Sequence, residues 1–377
     1  MANDLSKLIP SLQATMQSVV RERTPINAVV DTSYGIERAA LGQTVPVGMT
    51  AVVVGADDTP GASHPGVGDL TPTTIDVGIT KSRFWPFRIT GEERKAMANN
   101  GPTFQSEQVK EAIRAGVNEV WADIAALYSQ ASLAWGTPGT NPFTSNADAV
   151  WDLKTLLDEA SAPEAGRSMI LDALGYNTLG KLNLLQNVSS AGATETLREG
   201  IVSKLGNINV GWANSIKTHT KGTGAGYLVN NASGYAAGVT SIALDTGSGT
   251  ILPGDVVTFA GDTNKYIVKS YSAPTLVLNS GLRQTLANDV AMTIANGGRR
   301  YLAGHKSAIA FGIRPPALPS EEGSGDSALD RVNITDPDTG LVMSFAVYAQ
   351  YKQIVYQVEM AWGGKVVRPD WLKNLLF

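Results

Sequence analysis

Between Phe104 and Ala131 the residues Val109, Ile113, Val117, Val120, Trp121, Ile124, Leu127, Tyr128 and Ala131 recur at steps of three and four. That is the spacing of one apolar face of an α-helix. At 1.5 Å per residue the helix runs roughly 40 Å. Gly101-Pro102 precedes it and a segment rich in glycine and proline, Gly136 to Pro142, follows it. Isolated in this way, the helix reads as a spine on which a sheet can pack, and its stripe reads as core rather than as a cofactor box.

N-terminal to the spine the period is two. Val45, Val47, Met49, Ala51 and Val53 alternate with other residues, and Ile75, Val77, Ile79, Trp85, Phe87 and Ile89 do the same. These are expected to be two strands, joined through a long tip, Gly55 to Leu70, rich in Gly, Pro and Asp. A second strand running unbroken from Ile75 to Ile89 would extend roughly 45–50 Å, long enough to project from a compact body. Its odd-numbered face carries Lys81 and Arg83 between apolar ends. A hairpin lying on a neighbouring molecule and a surface hairpin with a solvated middle fit that pattern equally well.

Leu5 to Val20 has helical spacing, but an isolated helix of that length is marginal in water and must dock its apolar stripe elsewhere. After the spine, Ser145 and Asp148 look like a capping pair opening another helix. Ser168 to Leu171 is a short apolar strand, and a leucine-rich helical stretch runs on to Leu185. From Lys221 to Gly298 five short β runs follow one another without a helix: 241–244, 255–259, 266–268, 275–278 and 291–294. Glycine-rich ends mark this all-β stretch as an insertion. Leu341 to Tyr351 alternates on odd positions and Ile354 to Met360 on even ones, so a turn or bulge lies near Lys352-Gln353. Lys365 to Arg368 reads as one more strand, and Pro369 as the start of a short terminal helix ending at Phe377.

The chain has 377 residues, no cysteine, three histidines and a net charge of −4. No disulfide, thiolate metal site or cysteine nucleophile is possible, and no global positive field exists to grip a nucleic acid. The N-terminus has no basic start leading to an apolar core, so no signal peptide is expected. No apolar run approaches the ~18 residues of a membrane span. Gly222, Gly224 and Gly226 lack the frame of a phosphate loop and read as a linker. His64, His219 and His305 stand without partners at characteristic spacing. The adjacent acid pairs Asp57-Asp58, Glu92-Glu93 and Glu321-Glu322 read as solvated or helix-dipole charge. The expectation is a non-enzyme with no catalytic, cofactor or metal residues. The rivals kept open are a tail tube subunit and a carbohydrate-active enzyme with a β binding module.

The order of these elements resembles the major capsid proteins of tailed bacteriophages with the Hong Kong 97-like fold, particularly short-tailed-phage coat proteins with an inserted β domain. Three stretches carry the likeness: Glu199 to Gly206, Arg300 to Ala308, and Gly363 to Pro369. The resemblance implies an α+β fold with an N-terminal arm (1–42), an extended β-hairpin loop (43–92) and a peripheral domain with its spine helix (93–144 and 336–377). It further implies an axial domain (145–220 and 299–335) and an inserted small all-β domain (221–298). It implies self-assembly into hexamers and pentamers of an icosahedral shell, a scaffolding protein and a portal protein as partners, and packaged double-stranded DNA held by weak contact. The expected location is a virion capsid assembled in a host bacterial cytoplasm, with no membrane and no cofactor. Asp57, Asp58, Lys81, Arg83, Trp85 and Arg88 are the candidate assembly contacts.

Overall fold

The computed structural model describes residues 14–16, 30–32, 40–49, 73–97, 101–186, 202, 204–319, 326–336 and 340–377. Gly101–Ala126 forms the spine, 26 residues long, and a 3-10 turn, Leu127–Gln130, closes it. Val109, Ile113, Val117, Val120, Trp121 and Ile124 are buried, as the period requires. They pack on a six-stranded sheet whose long member, Gln353–Val366, pairs with Lys81–Thr90, Val342–Gln350 and Ile309–Arg314. Met360 and Trp362 point at the helix from that strand, and contact is close enough that a Cβ on Gly116 would lie 2.5 Å from Met360 Cε. Burying large side chains such as Trp121 and Trp362 contributes about 1.5–3 kcal/mol each. Of the expected N-terminal helix, residues 14–16 are described, and Met16 is buried in this same core.

The strand expected from Ile75 to Ile89 is two strands. Thr73–Gly78 pairs with Thr44–Met49, whereas Lys81–Thr90 pairs along Gln353–Val366 from Gln353↔Thr90 to Trp362↔Lys81. The break at Ile79-Thr80 preserves the odd-numbered apolar period, so alternation alone cannot reveal it. Nor do the described hairpin strands stand clear of the body. Val45 and Ile79 are buried against Ala361, and Val47 and Val77 against Ala310 and Val367. The expected tip, 55–70, lies outside the described residues.

The second sheet has 13 strands. At its middle Leu372–Leu376 runs parallel to Leu133–Trp135 and antiparallel to Gly298–His305. The chain therefore ends in a central strand, not in the expected terminal helix; the only helical part is a 3-10 turn, Pro369–Trp371. All five residues of that strand are buried, so it shows no period by which to tell a strand from a helix. The segments also divide differently from the expected domain limits. Ile309–Arg314 and Ala328–Thr335 belong to the first sheet, so the chain crosses between sheets at Lys306–Ala308 rather than near residue 335. Strand partners are long-range choices that local alternation does not encode. Ser145 does not cap the following helix: Asp148–Glu159 starts after Ala147 without a side-chain cap.

Residues 227–294 gather a core of their own around Tyr227, Val229, Ile242, Val257, Phe259, Tyr266, Leu276 and Leu278. Its strands fall on the expected runs, with Leu228–Val229 added. The unit is nonetheless continuous with the second sheet, because Lys265 and Tyr266 pair with Ala134 and Leu133. Gly222 and Gly224 are not a slack linker. A Cβ on Gly222 would lie 2.1 Å from the Thr250 carbonyl oxygen, so only glycine lets the two backbone segments meet there.

Candidate assembly surfaces and the buried joint

The hairpin root is fixed by charge and aromatic stacking. Lys81 and Arg83 extend from the strand that lies under the spine, and both reach acids on the spine itself. Lys81 Nζ stands 2.8 Å from Asp123, and Arg83 Nε 3.1 Å from Glu119. Asp123 also accepts from Trp362 Nε1 at 2.8 Å. Trp85 stacks on Trp362 with ring centroids 6.0 Å apart and interplanar angle 14°. Three of the candidate contacts thus find partners within their own chain. Arg88, opposite Val355, remains exposed. Asp57 and Asp58 lie outside the described residues. The same strand shows an exposed aromatic that the odd-numbered period does not single out: Phe84 is 60% exposed. Its signal was parity, since Phe84 shares the even-numbered face with Pro86 and Arg88, opposite the face that meets the helix.

A second surface surrounds the turn between the two long strands. Gln350 pairs with Gln353 across Tyr351-Lys352, with Lys352 at φ 54°, so the phase change seen in the sequence is a two-residue hairpin turn. Tyr351 is 87% exposed and Leu329 52%. With Ile89, Met97, Ile354 and Tyr356 they line an open hollow of about 980 Å³. Thr90 and Glu93 cap the short helix Gly91–Ala96 at its edge, the Thr90 N–H donating to the Glu93 carboxylate at 2.8 Å. The Thr90 backbone and hydroxyl hydrogen bonds hold the Glu93 carboxyl below its ordinary pKa.

Further uncovered side chains are Trp151 and Leu174 on helices Asp148–Glu159 and Ala173–Gly180, Trp212 at the end of a strand of the second sheet, and Leu252 in the β extension. Trp151 lies over Gly206, whose φ of 57° belongs to the left-handed region. Glycine adopts that conformation without penalty.

Beneath these surfaces lies a polar joint that brings together residues far apart in sequence. Tyr128 Oη is hydrogen-bonded to His219 Nδ1 at 2.9 Å, and His219 Nε2 to Asp255 Oδ1 at 2.8 Å. An acid, an imidazole and a phenol in line have the outline of a proton relay. Here, however, the Asp255 carboxylate, fully buried, is also filled by backbone donors: Gly222 N at 3.1 and 3.2 Å and Leu252 N at 2.7 Å. The array fastens the β extension to the end of the spine. Asn279 Nδ2, donating to the carbonyls of Ser129 and Ala131 at 2.8 Å, ties the same place from the other side. Burial raises the Tyr128 pKa and lowers that of Arg300, fully buried nearby, to about 10. His305 is held by the Ala165 carbonyl at 2.8 Å, and burial lowers its pKa. Among the described residues no group of three or more His, Cys, Asp or Glu is placed to hold a metal ion, and no helix is long and apolar enough to cross a membrane.

No protein-family model and no curated protein matches this sequence. Solved structures with a related course of chain include one from Mycobacterium phage Che8, at 13% identity and a TM-score of 0.47, covering 93% of this chain and 90% of that one. The capsid of cyanophage P-SCSP1u matches at 14% identity and a TM-score of 0.44, over 92% of this chain and 86% of that one. The capsid of the native GTA particle matches at 11% identity and a TM-score of 0.44, over 96% and 90%.

Proposed function

We propose that this chain is the major capsid protein of a tailed bacteriophage, a structural subunit and not an enzyme. The observation that carries the reading is the apolar surface around the Tyr351-Lys352 turn, accompanied by uncovered apolar side chains elsewhere. Leu41, Phe84, Trp151, Leu174, Trp212, Leu252, Leu329 and Tyr351 are each between 41% and 87% exposed, and they stand on strands, helices and turns alike. Apolar side chains scattered singly are ordinary on a monomer, but Leu329 and Tyr351 open with Ile89, Met97, Ile354 and Tyr356 onto one hollow of about 980 Å³, and a contiguous apolar surface of that kind marks a place where a neighbour docks. The spine laid on a sheet, with a hairpin at its root, supplies a stiff body for such contacts.

In this reading the chain forms hexamers and pentamers of an icosahedral shell in the host cytoplasm, with scaffolding and portal proteins as partners. It encloses double-stranded DNA by weak contact, consistent with a net charge of −4. The segment between Met49 and Thr73 reaches a neighbouring subunit through Asp57 and Asp58, and Arg88 and Phe84 form part of the same contact. The hairpin shifts when a precursor shell expands. Deleting Asp57 to Gly68 is the test. The expected product is a folded, soluble subunit, unchanged in circular dichroism, that assembles poorly; shells in normal yield would refute the role of the hairpin.

A further inference from the structure

The C-terminal strand buries a lysine for which the shell reading has no use. Lys373 is 1% exposed, and its Nζ donates to Ser132 Oγ at 2.8 Å. Ser132 Oγ in turn donates to the Leu372 carbonyl at 3.1 Å, so this hydroxyl meets the amine with a lone pair and not with its proton. Among the described residues no carboxylate lies within ion-pair distance of Lys373, although Asp370 and Glu159 stand close enough to favour its charged form. Lys373 also lines a hollow of about 340 Å³ between the end of helix Asp148–Glu159, the β extension and the C-terminal strand. Its other walls include Ala160, Ser161, Ser280, Arg283 and Asp370. Arg283 and Glu159 pair with each other across it.

We infer that Lys373 is an acylation site, its amine capturing a small activated acyl group, such as a thioester or acyl phosphate, that enters this hollow. Geometry and charge together supply the three things the reaction needs. Ser132 takes one N–H and leaves the nitrogen lone pair free, the hollow admits a small acyl carbon, and burial together with the Arg283 charge outweighs the pull of Asp370 and Glu159 toward the ammonium form. Burial lowers the Lys373 pKa to about 8, which enlarges the neutral fraction near neutral pH. In the step the amine nitrogen forms a bond to the acyl carbon. The bond from that carbon to the thiolate or phosphate breaks, the leaving group departs with the electron pair, and the surplus amine proton passes to water. The product is an uncharged amide, which removes a buried charge from the strand.

The test treats the intact folded protein with limiting N-hydroxysuccinimide acetate from pH 6.5 to 9.5 and follows each lysine by peptide mass spectrometry. Lys204 and Lys269, both exposed, are the internal standards. At pH 7.5 Lys373 should acetylate about tenfold faster than either, a modest share of its gain in neutral amine. Its rate should level off above about pH 8, as its lowered pKa requires, while the standards keep rising. The variant Ala160→Phe narrows the hollow without touching the Lys373–Ser132 pair, and should slow Lys373 alone. Acetylation of Lys204 and Lys269 with none at Lys373 would overturn the inference. So would modification of Lys373 only in denaturant concentrations that unfold the protein, or an Ala160→Phe protein, folded by circular dichroism, that labels at the unchanged rate.

Discussion

Lys373 and Asp255 are both buried charges, and the chain treats them oppositely. Asp255 is surrounded by donors, whereas Lys373 has a single hydroxyl. With its folded pKa lowered to about 8 from an ordinary 10.5, Lys373 has a proton that costs the native state most below pH 8, where folded and unfolded chains both hold it. Between pH 8 and 10.5 the unfolded chain binds more protons, so this group's contribution to stability rises with pH there. Lys373→Met should stabilise the protein at pH 7 by about 1–3 kcal/mol and flatten that rise, as measured by urea unfolding at a series of pH values. A lower midpoint at pH 7 would contradict it. Removing Asp255 has the opposite sign: Asp255→Ala leaves the amides of Gly222 and Leu252 unsatisfied and His219 without its acceptor. A loss of about 3–5 kcal/mol is expected. Faster hydrogen exchange over residues 128–136 should accompany it, because the joint fastens that segment.

At the level of elements, the spine and the strand under it depend on close approach. Gly116→Val would drive a side chain into Met360 and the Trp85 ring, which is pinned by its stacking on Trp362, and should cost about 1–3 kcal/mol despite valine's better helix propensity than glycine's. The ion pairs at the hairpin root act on another scale. Lys81→Ala should change stability by about 0–1 kcal/mol, as exposed pairs do. Asp123→Ala should cost more, about 1–3 kcal/mol, because the buried Trp362 indole loses its acceptor. A double-mutant cycle on thermal unfolding separates the two effects, and equal single-variant losses would contradict this assignment. The spine, the five β runs of the extension and the turn at Tyr351-Lys352 were legible because each shows its own period over several residues. The split at Ile79-Thr80 was not, since the odd-numbered period runs through it unbroken. The C-terminal strand was hidden by burial on both faces. The joint of Tyr128, His219 and Asp255 was hidden by separation along the chain: nothing local to His219 names a partner 91 residues earlier.

Across the molecule, two large sheets share one chain that crosses between them, and uncovered apolar residues stand on both. If these are assembly contacts, they should matter little to the fold. Phe84→Ser and Tyr351→Ser, at 60% and 87% exposure, should each leave the unfolding midpoint nearly unchanged, within about 0.5 kcal/mol, while lowering the yield of assembled particles. Unchanged particle yield from both folded variants would contradict the assignment. The most direct measurement is negative-stain electron microscopy of the sedimenting fraction after expression with and without the proposed scaffolding partner. Closed polyhedral shells of uniform size are expected in the presence of the scaffold. A monomer that stays dispersed under both conditions would contradict the capsid reading.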